Sequence, residues 1–364
     1  MERIADLCRR YGAACAVAAF VGAAAAGAAL AQGWWTVTQP RSSASAVVNQ
    51  AYFPVHRCIN MGSGLEAPIE GEWGYRFRQR DFATIRAAGF DTVRIPIRWS
   101  SHAGTAPPYT INADFRSRVD QIVGWGLEAG LNVIINVHHY EELYADPNRH
   151  EARLEAIWMQ LAGWYRAAPP QLMFEIINEP RDAFSGQRVN DTQNRILAGI
   201  RRTNPTRTVI LAGDEWGALS GMDNLRLPPD PYVVATVHYY GPYEFTHQGA
   251  EWLGDEAPPA GRSWPLFGER EQLAQDVASV VAWRDQLKVP VFLGEYGAET
   301  TVAPVERIEW TADVTRALDE ARIPWCYFNY AGGFATYDLA SESWKMPLLE
   351  ALGLRQPLQL RSRP

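Results

Sequence analysis

The feature that most constrains the fold is a regular alternation of short apolar runs and longer amphipathic runs, beginning near residue 54. Runs rich in β-branched and aromatic residues are typical of strands, and apolar residues repeating every three to four positions are typical of helices. The strand candidates lie near residues 57–61, 92–97, 132–139, 172–178, 208–213, 233–239, 290–295 and 324–330. The helix candidates lie near residues 80–88, 114–129, 151–167, 190–203, 270–287, 305–321 and 344–352, and only the segment after the fifth strand is poorly defined.

Eight strands alternating with helices predict an α/β fold, a parallel sheet closed into a (β/α)8 TIM barrel. We expect residues 54–364 to form this barrel as a single domain. An open, doubly wound sheet is the alternative. No Gly-x-Gly-x-x-Gly turn follows any candidate strand, so the commonest functional signature of that alternative is missing from the sequence.

The first 31 residues have the pattern of a signal peptide. Three arginines precede an apolar run over residues 13–31, which closes with Ala29-Leu30-Ala31, a small-x-small cleavage pattern. We expect cleavage after Ala31 and export to the periplasm or the medium, with residues 32–53 as a linker or lead-in. An uncleaved membrane anchor is the alternative, because the apolar run is nearly long enough to span a bilayer.

The charge balance limits the possible partners. The chain carries a formal net charge of −7, and loss of the signal peptide would make it more negative. An acidic surface disfavours nucleic acid and anionic membranes and suits a neutral polymer. We therefore expect a polysaccharide or oligosaccharide substrate, no nucleic acid, no stable membrane partner once the signal is cleaved, and a monomer.

Two cysteines, Cys58 and Cys326, remain after signal cleavage. They fall in the first and eighth predicted strands, which are neighbours in a closed barrel. An exported protein could oxidise them, but a bridge between adjacent parallel strands demands particular geometry. We therefore expect two buried thiols rather than a disulfide.

Polar residues collect in or at the carboxyl ends of the predicted strands, where barrel enzymes carry their chemistry. Any one of them could be an ordinary buried hydrogen-bonding residue, but a full set is hard to explain as packing. These residues are Arg94, His138, Asn178, Glu179, His238, Tyr240 and Glu295.

Two strand-end carboxylates, Glu179 and Glu295, could bind a metal ion or cleave a glycosidic bond. A metal would need further converging ligands, and His138 and His139, adjacent in a predicted strand, should point to opposite sides. Glycosidic cleavage needs one protonated and one ionised carboxyl. We therefore predict glycoside hydrolysis without a metal or cofactor, with Arg94 keeping Glu295 ionised if it reaches that group.

Several strings together resemble glycoside hydrolase family 5, the cellulase-type barrels of clan A, over roughly residues 54–352. The resemblance rests first on Asn178-Glu179-Pro180, Gly294-Glu295-Tyr296-Gly297 and His238-Tyr239-Tyr240. Further matching strings are Thr92-Val93-Arg94-Ile95-Pro96, Ile134-Ile135-Asn136-Val137-His138 and Phe245-Thr246-His247-Gln248-Gly249-Ala250.

The resemblance implies a retaining double displacement in which Glu179 is the acid/base and Glu295 the nucleophile. Asn178 would hydrogen-bond the sugar 2-hydroxyl beside the bond being cut. The remaining polar residues would orient the nucleophile and the same sugar: Arg94, His138, His238 and Tyr240.

The sequence departs from the family in one place. The last strand of these enzymes usually brings a Trp under the sugar. When residues 324–330 are matched to that strand, Phe328 takes the place of this Trp, and Trp325 should belong to the core. The long segment 241–270 offers Trp252 as a further sugar platform, and Trp99 and Trp216 are similar candidates.

The predicted activity is that of an exported endo-β-glycanase acting on β-1,4-glucan. A β-mannanase, glucomannanase or β-1,3-glucanase is the alternative within the class, because family resemblance does not fix the polymer. A catalytically silent carbohydrate-binding barrel is the alternative outside it, although binding alone would require neither Glu179 nor Glu295.

Overall fold

The computed structural model describes residues 52–355, so the predicted signal peptide (1–31) and nearly all of the lead-in (32–53) lie outside the described residues. Eight parallel strands pair in chain order, and the first pairs with the last to close a barrel. The predicted (β/α)8 TIM barrel is confirmed. Its strands are β1 Arg57–Asn60, β2 Thr92–Ile95, β3 Asn132–Asn136, β4 Leu172–Glu175, β5 Val209–Ala212, β6 Val233–Tyr239, β7 Val291–Tyr296 and β8 Trp325–Tyr327.

Each of the predicted helices has a counterpart around the barrel. Within residues 52–355 the α-helices are α1 Gln79–Ala87, α2 Ala113–Glu128, α3 Glu141–Ala145, α4 Pro147–Trp164, α5 Gln187–Arg201, α6 Tyr243–Thr246, α7 Glu269–Leu287, α8 Pro304–Glu320 and α9 Met346–Ala351. The short helices α3 and α6 were not predicted. The poorly defined segment after β5 forms two 3-10 turns, Glu215–Gly217 and Leu219–Asn224, and the hairpin of β9 Tyr337–Asp338 and β10 Ser343–Trp344 precedes α9.

Several strands end earlier than the sequence predicts, among them β2, β8 and the two strands that precede candidate site residues, β3 and β4. β3 stops at Asn136 rather than near 139, and β4 stops at Glu175 rather than near 178. The residues beyond these points leave the barrel ladder for the loops, so their side chains are released from strict alternation across a sheet. This change of backbone lets consecutive residues gather at one end of the barrel.

Two apolar cores hold the barrel together. The larger one fills the space between the strands and the helices, as expected when parallel strands are covered by helices. A smaller one draws one fully buried side chain from each of seven strands, and Phe53 covers it. This second layer fills the barrel interior and consists of Cys58, Ile134, Met173, Ile210, Val234, Phe292 and Cys326, with Val55. Across the chain from residue 52 to residue 355, no helix is long and apolar enough to cross a membrane.

The expectation of two buried thiols is wrong, because Cys58 and Cys326 form a disulfide. The two residues are in register on the paired strands β1 and β8, with their Cα atoms 4.1 Å apart. Both side chains point into the small interior core, so the strand pairing itself brings the two sulfur atoms together. The bond links residues 268 positions apart in the chain and joins the first strand to the last.

Candidate active site

The predicted polar residues meet at the carboxyl end of the barrel. Arg94 lies in β2, His238 near the end of β6 and Glu295 in β7. The other four follow their strands in the loops, and those residues are His138, Asn178, Glu179 and Tyr240. All seven predicted positions therefore contribute to one end of the molecule.

The two predicted carboxylates lie close together, near the same nitrogen of one imidazole. Nδ1 of His238 is 2.8 Å from Oε1 of Glu179 and 3.8 Å from Oε2 of Glu295. An oxygen of each carboxylate and a ring nitrogen of His238 all lie within 4.8 Å of one another. Two carboxyl groups at this separation can act on one bond from opposite sides.

An irregularity between β6 and β7 creates this juxtaposition. Val237 pairs with Leu293, but the next residue, His238, pairs with Glu295, so Gly294 is the extra residue of a bulge. A Cβ on Gly294 would lie 2.5 Å from Oγ1 of Thr236, which explains why this position of the motif is a glycine. Bulges re-aim side chains, and here the result is that Glu295 faces His238.

The second glycine of the motif, Gly297, has a similar reason. A Cβ at this position would lie 2.0 Å from the carbonyl oxygen of Phe328, closer than any side chain could come. The backbone after β7 therefore passes directly against the backbone after β8. This close approach brings Phe328 to the same end of the barrel as Glu295.

Glu295 is held by two donors, one at each oxygen. Arg94 donates from Nη1 to Oε1 at 2.5 Å, and the Tyr240 hydroxyl donates to Oε2 at 2.8 Å. Burial, and after it the charges of Glu295 and Glu179, raises the pKa of Tyr240 well above its usual value, so the phenol stays a proton donor. Charge-assisted hydrogen bonds of this kind are short and strong, so they fix the orientation of the Glu295 carboxylate.

Arg94 is the centre of the polar network, and the sequence did not reveal its other partners. Its Nε and Nη2 both donate to the fully buried Glu175, at 2.7 Å each. Its remaining bonds reach Asn60 at 2.7 Å and Asn178 at 2.5 Å. Burial alone would lower the pKa of Arg94, but the charges of Glu175 and Glu295 raise it above its usual value. All five donors of a permanently charged guanidinium are thus used in fixing the site.

Glu179 has different surroundings from Glu295. Its side chain is 18% exposed against 5% for Glu295, and its Oε1 pairs with His238 instead of an arginine. Burial acts to lower the pKa of His238, but the nearby carboxylates of Glu295 and Glu179 raise it. Nε2 of His238 finds no hydrogen-bond partner among residues 52–355. The two carboxyls are therefore inequivalent, as acid and base roles require.

The loop after β3 carries a pair of histidines. The rings of His138 and His139 lie 4.7 Å apart, so the prediction that they point to opposite sides is wrong, because β3 ends before them. Burial lowers the pKa of both, to about 4 for His139 and well below the usual value for His138. Two neutral imidazole rings therefore lie in the loop after β3. Nδ2 of Asn136 is 3.2 Å from Nδ1 of His138, and Trp73 packs edge-on against His139.

The sequence interpretation also missed Glu66, in the loop after β1. Oε1 of Glu66 accepts a hydrogen bond from the Ser63 backbone at 2.7 Å, whereas Oε2 is buried without a partner among the described residues. Burial raises its pKa to about 7. A Cβ on Gly62 would lie 3.2 Å from both Glu66 Oε1 and the Phe328 ring, so the two side chains share one wall. The position of Glu66 beyond a strand's carboxyl end was the signal that could have found it.

The aromatic residues predicted as sugar platforms differ in their exposure to solvent. Trp99 is fully buried and donates to the Asn136 carbonyl, so it is core rather than a sugar platform. Trp325 is core, as predicted. Trp252 is 65% exposed and approaches His247, whose ring stacks on Tyr243 at 4.3 Å.

Phe328 and Trp216 are both accessible, Phe328 partly and Trp216 to 53%. Phe328 packs edge-on against Phe334 with ring centres 5.6 Å apart. Phe334 also contacts Tyr240 and His247, so Phe328 and Trp252 belong to one aromatic group on the Glu295 side of the site.

The described residues that could hold a metal ion at this end are Glu179, His238 and Glu295, which offer one ligand atom each. Both oxygens of Glu295 already accept hydrogen bonds, and Oε1 of Glu179 is paired with His238. An ion bound here would have to displace these hydrogen bonds. The arrangement suits two separately held carboxylates better than a metal centre.

A (β/α)8 barrel with two inequivalent carboxyls at strand ends is the arrangement of a glycoside-cleaving enzyme. The family described as cellulase (glycosyl hydrolase family 5) matches residues 49–333. The chain belongs to this family.

Named relatives agree with this assignment. The chain is 37% identical over 279 residues to Endoglucanase H of Acetivibrio thermocellus, covering 76% of this chain and 30% of that protein. It is 34% identical over 263 residues to Endoglucanase B of Paenibacillus lautus, covering 65% of this chain and 45% of that protein. The chain thus spans less than half the length of either curated relative.

The fold is similar to that of Thermotoga maritima Cel5A. The structure of that protein in complex with cellobiose has a TM-score of 0.80 and 40% identity, with 82% of this chain and 97% of that chain covered. Its structure in complex with mannotriose has a TM-score of 0.80 and 39% identity, with the same coverage.

Proposed function

We propose that this protein is a retaining endo-β-1,4-glucanase in which Glu179 is the acid/base and Glu295 the nucleophile. The observation that carries the proposal is the pair of close, inequivalent carboxyls, with oxygens within 4.8 Å. Retaining enzymes hold their carboxyl groups roughly 5–5.5 Å apart, whereas inverting enzymes need roughly 6.5–9.5 Å to admit a water molecule.

In the first step, a Glu295 oxygen bonds to the anomeric carbon as the glycosidic carbon–oxygen bond breaks. The proton of Glu179 passes to the departing oxygen, which leaves as an alcohol. Arg94 and Tyr240 hold the attacking carboxylate from both oxygens, so its orientation is fixed before the substrate arrives.

In the second step, a water molecule attacks the same carbon and gives its proton to Glu179. The bond to Glu295 breaks, and both carboxyl groups return to their starting states. His238 lies within hydrogen-bonding distance of Glu179 and close to Glu295. Its ring can therefore interact with whichever of the two carboxyl groups is negatively charged at each step.

The surrounding residues would hold the sugar beside the bond being cut. Asn178 would bind its 2-hydroxyl from a position fixed by Arg94, and His138 would contribute a neutral, buried imidazole. Phe328 would offer a smaller stacking face than the tryptophan usual in the family. Trp252, on the same side of the site, would provide a further platform.

As the polymer, β-1,4-glucan is favoured by the endoglucanase names of the relatives. A β-mannanase or glucomannanase activity is a second candidate, because the similar Thermotoga maritima Cel5A was solved with mannotriose as well as cellobiose. We also propose that the protein is exported and monomeric, which the signal-like sequence and the acidic charge support.

The test is a panel of carboxymethylcellulose, mixed-linkage glucan, mannan, xylan and laminarin, with product sizes recorded for the wild type and for Glu295→Gln. We expect internal cleavage of β-1,4-glucan by the wild type and a loss of at least about 10³-fold in the variant, because the nucleophile is removed. Near-normal turnover by a folded Glu295→Gln variant would refute the assignment. Binding without hydrolysis by the wild type would favour a carbohydrate-binding barrel instead.

A further inference from the structure

One buried glutamine joins the two ends of the loop after β6. Gln248 is only 1% exposed, and its side chain bonds to main-chain groups on both sides of the loop. Its Nε2 donates to the carbonyls of Phe245 and Arg262, at 3.0 and 2.9 Å. Its Oε1 accepts from the backbone N–H groups of Gly261 and Arg262, at 2.7 and 2.9 Å. Both donors and both lone pairs of the side-chain amide are therefore in use.

The chain between these two ends, residues 249–260, forms a compact arm. It leaves Gln248 and returns to it, and the Gly249 backbone N–H donates to the Pro258 carbonyl at 2.8 Å across its base. No residue of the 3-10 turn at its tip, Glu251–Glu256, is buried. The tip thus has little packing of its own, so the bonds at the base decide where the arm points.

The arm carries Trp252, and its base contacts the residues that hold the predicted nucleophile. The ring centre of His247, the residue before Gln248, lies 5.8 Å from that of Trp252 and 5.0 Å from that of Tyr240. The Tyr240 hydroxyl in turn donates to Glu295 at 2.8 Å. A change at the base of the arm would therefore move Trp252 relative to Glu295.

The loop after β7 supports the same base from outside. The Thr301 hydroxyl donates to the Gln248 carbonyl, and the Glu299 backbone N–H donates to the Thr246 carbonyl at 2.8 Å. Gly249 has a φ of 67°, and a Cβ there would lie 3.3 Å from Cβ of Thr301, so a glycine suits this close approach. The arm is thus attached to the loop that follows Glu295.

We propose that Gln248 is a positioning residue that fixes the arm before substrate arrives, so that Trp252 is already in place to meet the sugar chain. The inference rests on the proposed hydrolysis and on the proposed contact between Trp252 and sugar. A loop already held in its binding conformation loses less conformational entropy when the ligand binds. Because Gln248 acts through Trp252 in this proposal, its replacement should matter only while the tryptophan is present.

The experiment is a double-mutant cycle on kcat/KM for cellopentaose, with Gln248→Met, Trp252→Ala and the double variant. Methionine has a similar length to glutamine but makes none of the four hydrogen bonds. We expect a loss of about tenfold or more for Trp252→Ala, as for an aromatic anchor. Gln248→Met should lose about three- to tenfold, mainly through KM, because the arm must be ordered on binding. In the Trp252→Ala background, Gln248→Met should change kcat/KM by less than about twofold.

Thr301→Val gives a second cycle if Gln248→Met does not fold, because Thr301 is exposed and its replacement leaves the core intact. It removes the donor to the Gln248 carbonyl, and we expect a loss of about two- to threefold that again disappears in the Trp252→Ala background. Thr301→Ser keeps the hydroxyl and should match the wild type. Thr203→Val is the control, because the exposed Thr203 donates to the Ile200 carbonyl at the end of α5, before β5.

Hydrogen exchange of the wild type tests the base of the arm without any substitution. The amides of Gly261 and Arg262, which donate to Gln248, should exchange at least about tenfold more slowly than those of Glu251 and Trp252 at the start of the exposed turn. Equal exchange at both places would show that Gln248 does not hold the arm, and would overturn the proposal.

Losses that multiply in the double variant would show that Gln248 acts on the fold in general rather than through Trp252. That result, or full activity of either single variant, would overturn the positioning role while leaving the hydrolase proposal intact. A wild type that does not cleave cellopentaose would overturn the proposed function itself. The two failures are therefore distinguishable in one set of assays.

Discussion

At the scale of single residues, one buried arginine organises the candidate site. Arg94 shares its charge between Glu175 and Glu295 and also fixes Asn60 and Asn178. A buried arginine without such partners would be strongly destabilising, so the acidic neighbours are needed for the fold as well as for the site. The same bonds make the position of Glu295 independent of substrate binding.

Replacement of Glu179 should depend on the leaving group. We expect Glu179→Ala to lower kcat/KM for cellotetraose by about 10²–10⁴-fold, the usual range for loss of a general acid. A 2,4-dinitrophenyl cellobioside should suffer far less in its first step, because its leaving group needs no proton. The measurement is a pre-steady-state burst assay, with Glu320→Ala on the exposed end of α8 as control. Equal losses on both substrates would argue against the acid role.

Glu66 should make stability depend on pH. Its pKa is raised from 4.5 to about 7 by burial, so the folded state prefers the neutral carboxyl. Its contribution to stability is therefore full below about pH 4.5 and is lost as the pH rises toward 7, by about 3 kcal/mol at most.

The variant Glu66→Gln, which stays neutral, should lose less stability than the wild type between pH 4.5 and 7. Thermal melts across this range measure the difference, and Glu320→Gln, which alters an exposed carboxyl, should follow the wild type. Parallel curves for Glu66→Gln and the wild type would show that Glu66 does not titrate in this range.

At the scale of elements, the loops after the strands carry more of the site than the strands do. β3 and β4 end before His138 and Glu179, and the 3-10 turns after β5 replace a regular helix and position Trp216. The helices outside the barrel pack against the strands and stabilise the sheet. Their ends are stabilised by local hydrogen bonds that can be tested one at a time.

The start of α2 offers such a test. The Asn112 side chain accepts a hydrogen bond from the Phe115 backbone N–H at 2.9 Å, which satisfies a donor that the helix leaves free. Asn112→Ala should lower the free energy of unfolding by about 1 kcal/mol, whereas Asn112→Asp should retain most of it. Urea titration measures both variants, and identical midpoints for Asn112→Ala and the wild type would contradict the role of the cap.

At the scale of the whole molecule, the barrel is closed twice, by strand pairing and by a covalent bond. β1 pairs with β8, and Cys58 is joined to Cys326 in the interior core. The disulfide closes a loop that contains almost all of the barrel's chain, so it strongly reduces the conformational entropy of the unfolded state. Both cysteines are fully buried, and a reductant should therefore reach them only when the barrel opens.

Reduction of this disulfide should lower the free energy of unfolding by about 2–4 kcal/mol. The comparison is between oxidised wild type, wild type reduced while unfolded and then refolded, and the double variant Cys58→Ala/Cys326→Ala. The reduced wild type keeps its sulfur atoms, so it separates the effect of the cross-link from that of packing. An unchanged denaturation midpoint after verified reduction would contradict the expected contribution.

The sequence by itself determined the order of the eight strands and the positions of the two carboxyls. Both follow from local physics: apolar runs of strand or helix period specify the elements, and parallel strands place all their carboxyl ends together. For this reason the order of residues along the chain is enough to assign Arg94, Glu179, His238 and Glu295 to one end of a barrel.

Only the tertiary structure decided the partners of these residues. Glu175 and Glu66 belong to runs that look like ordinary strand and loop, and their proximity to Arg94 and Phe328 depends on barrel closure. The same holds for the Cys58–Cys326 bond, which depends on the register between the first and last strands. Trp99 and Trp216 both follow strands in the sequence, but three-dimensional packing alone buries the first and exposes the second.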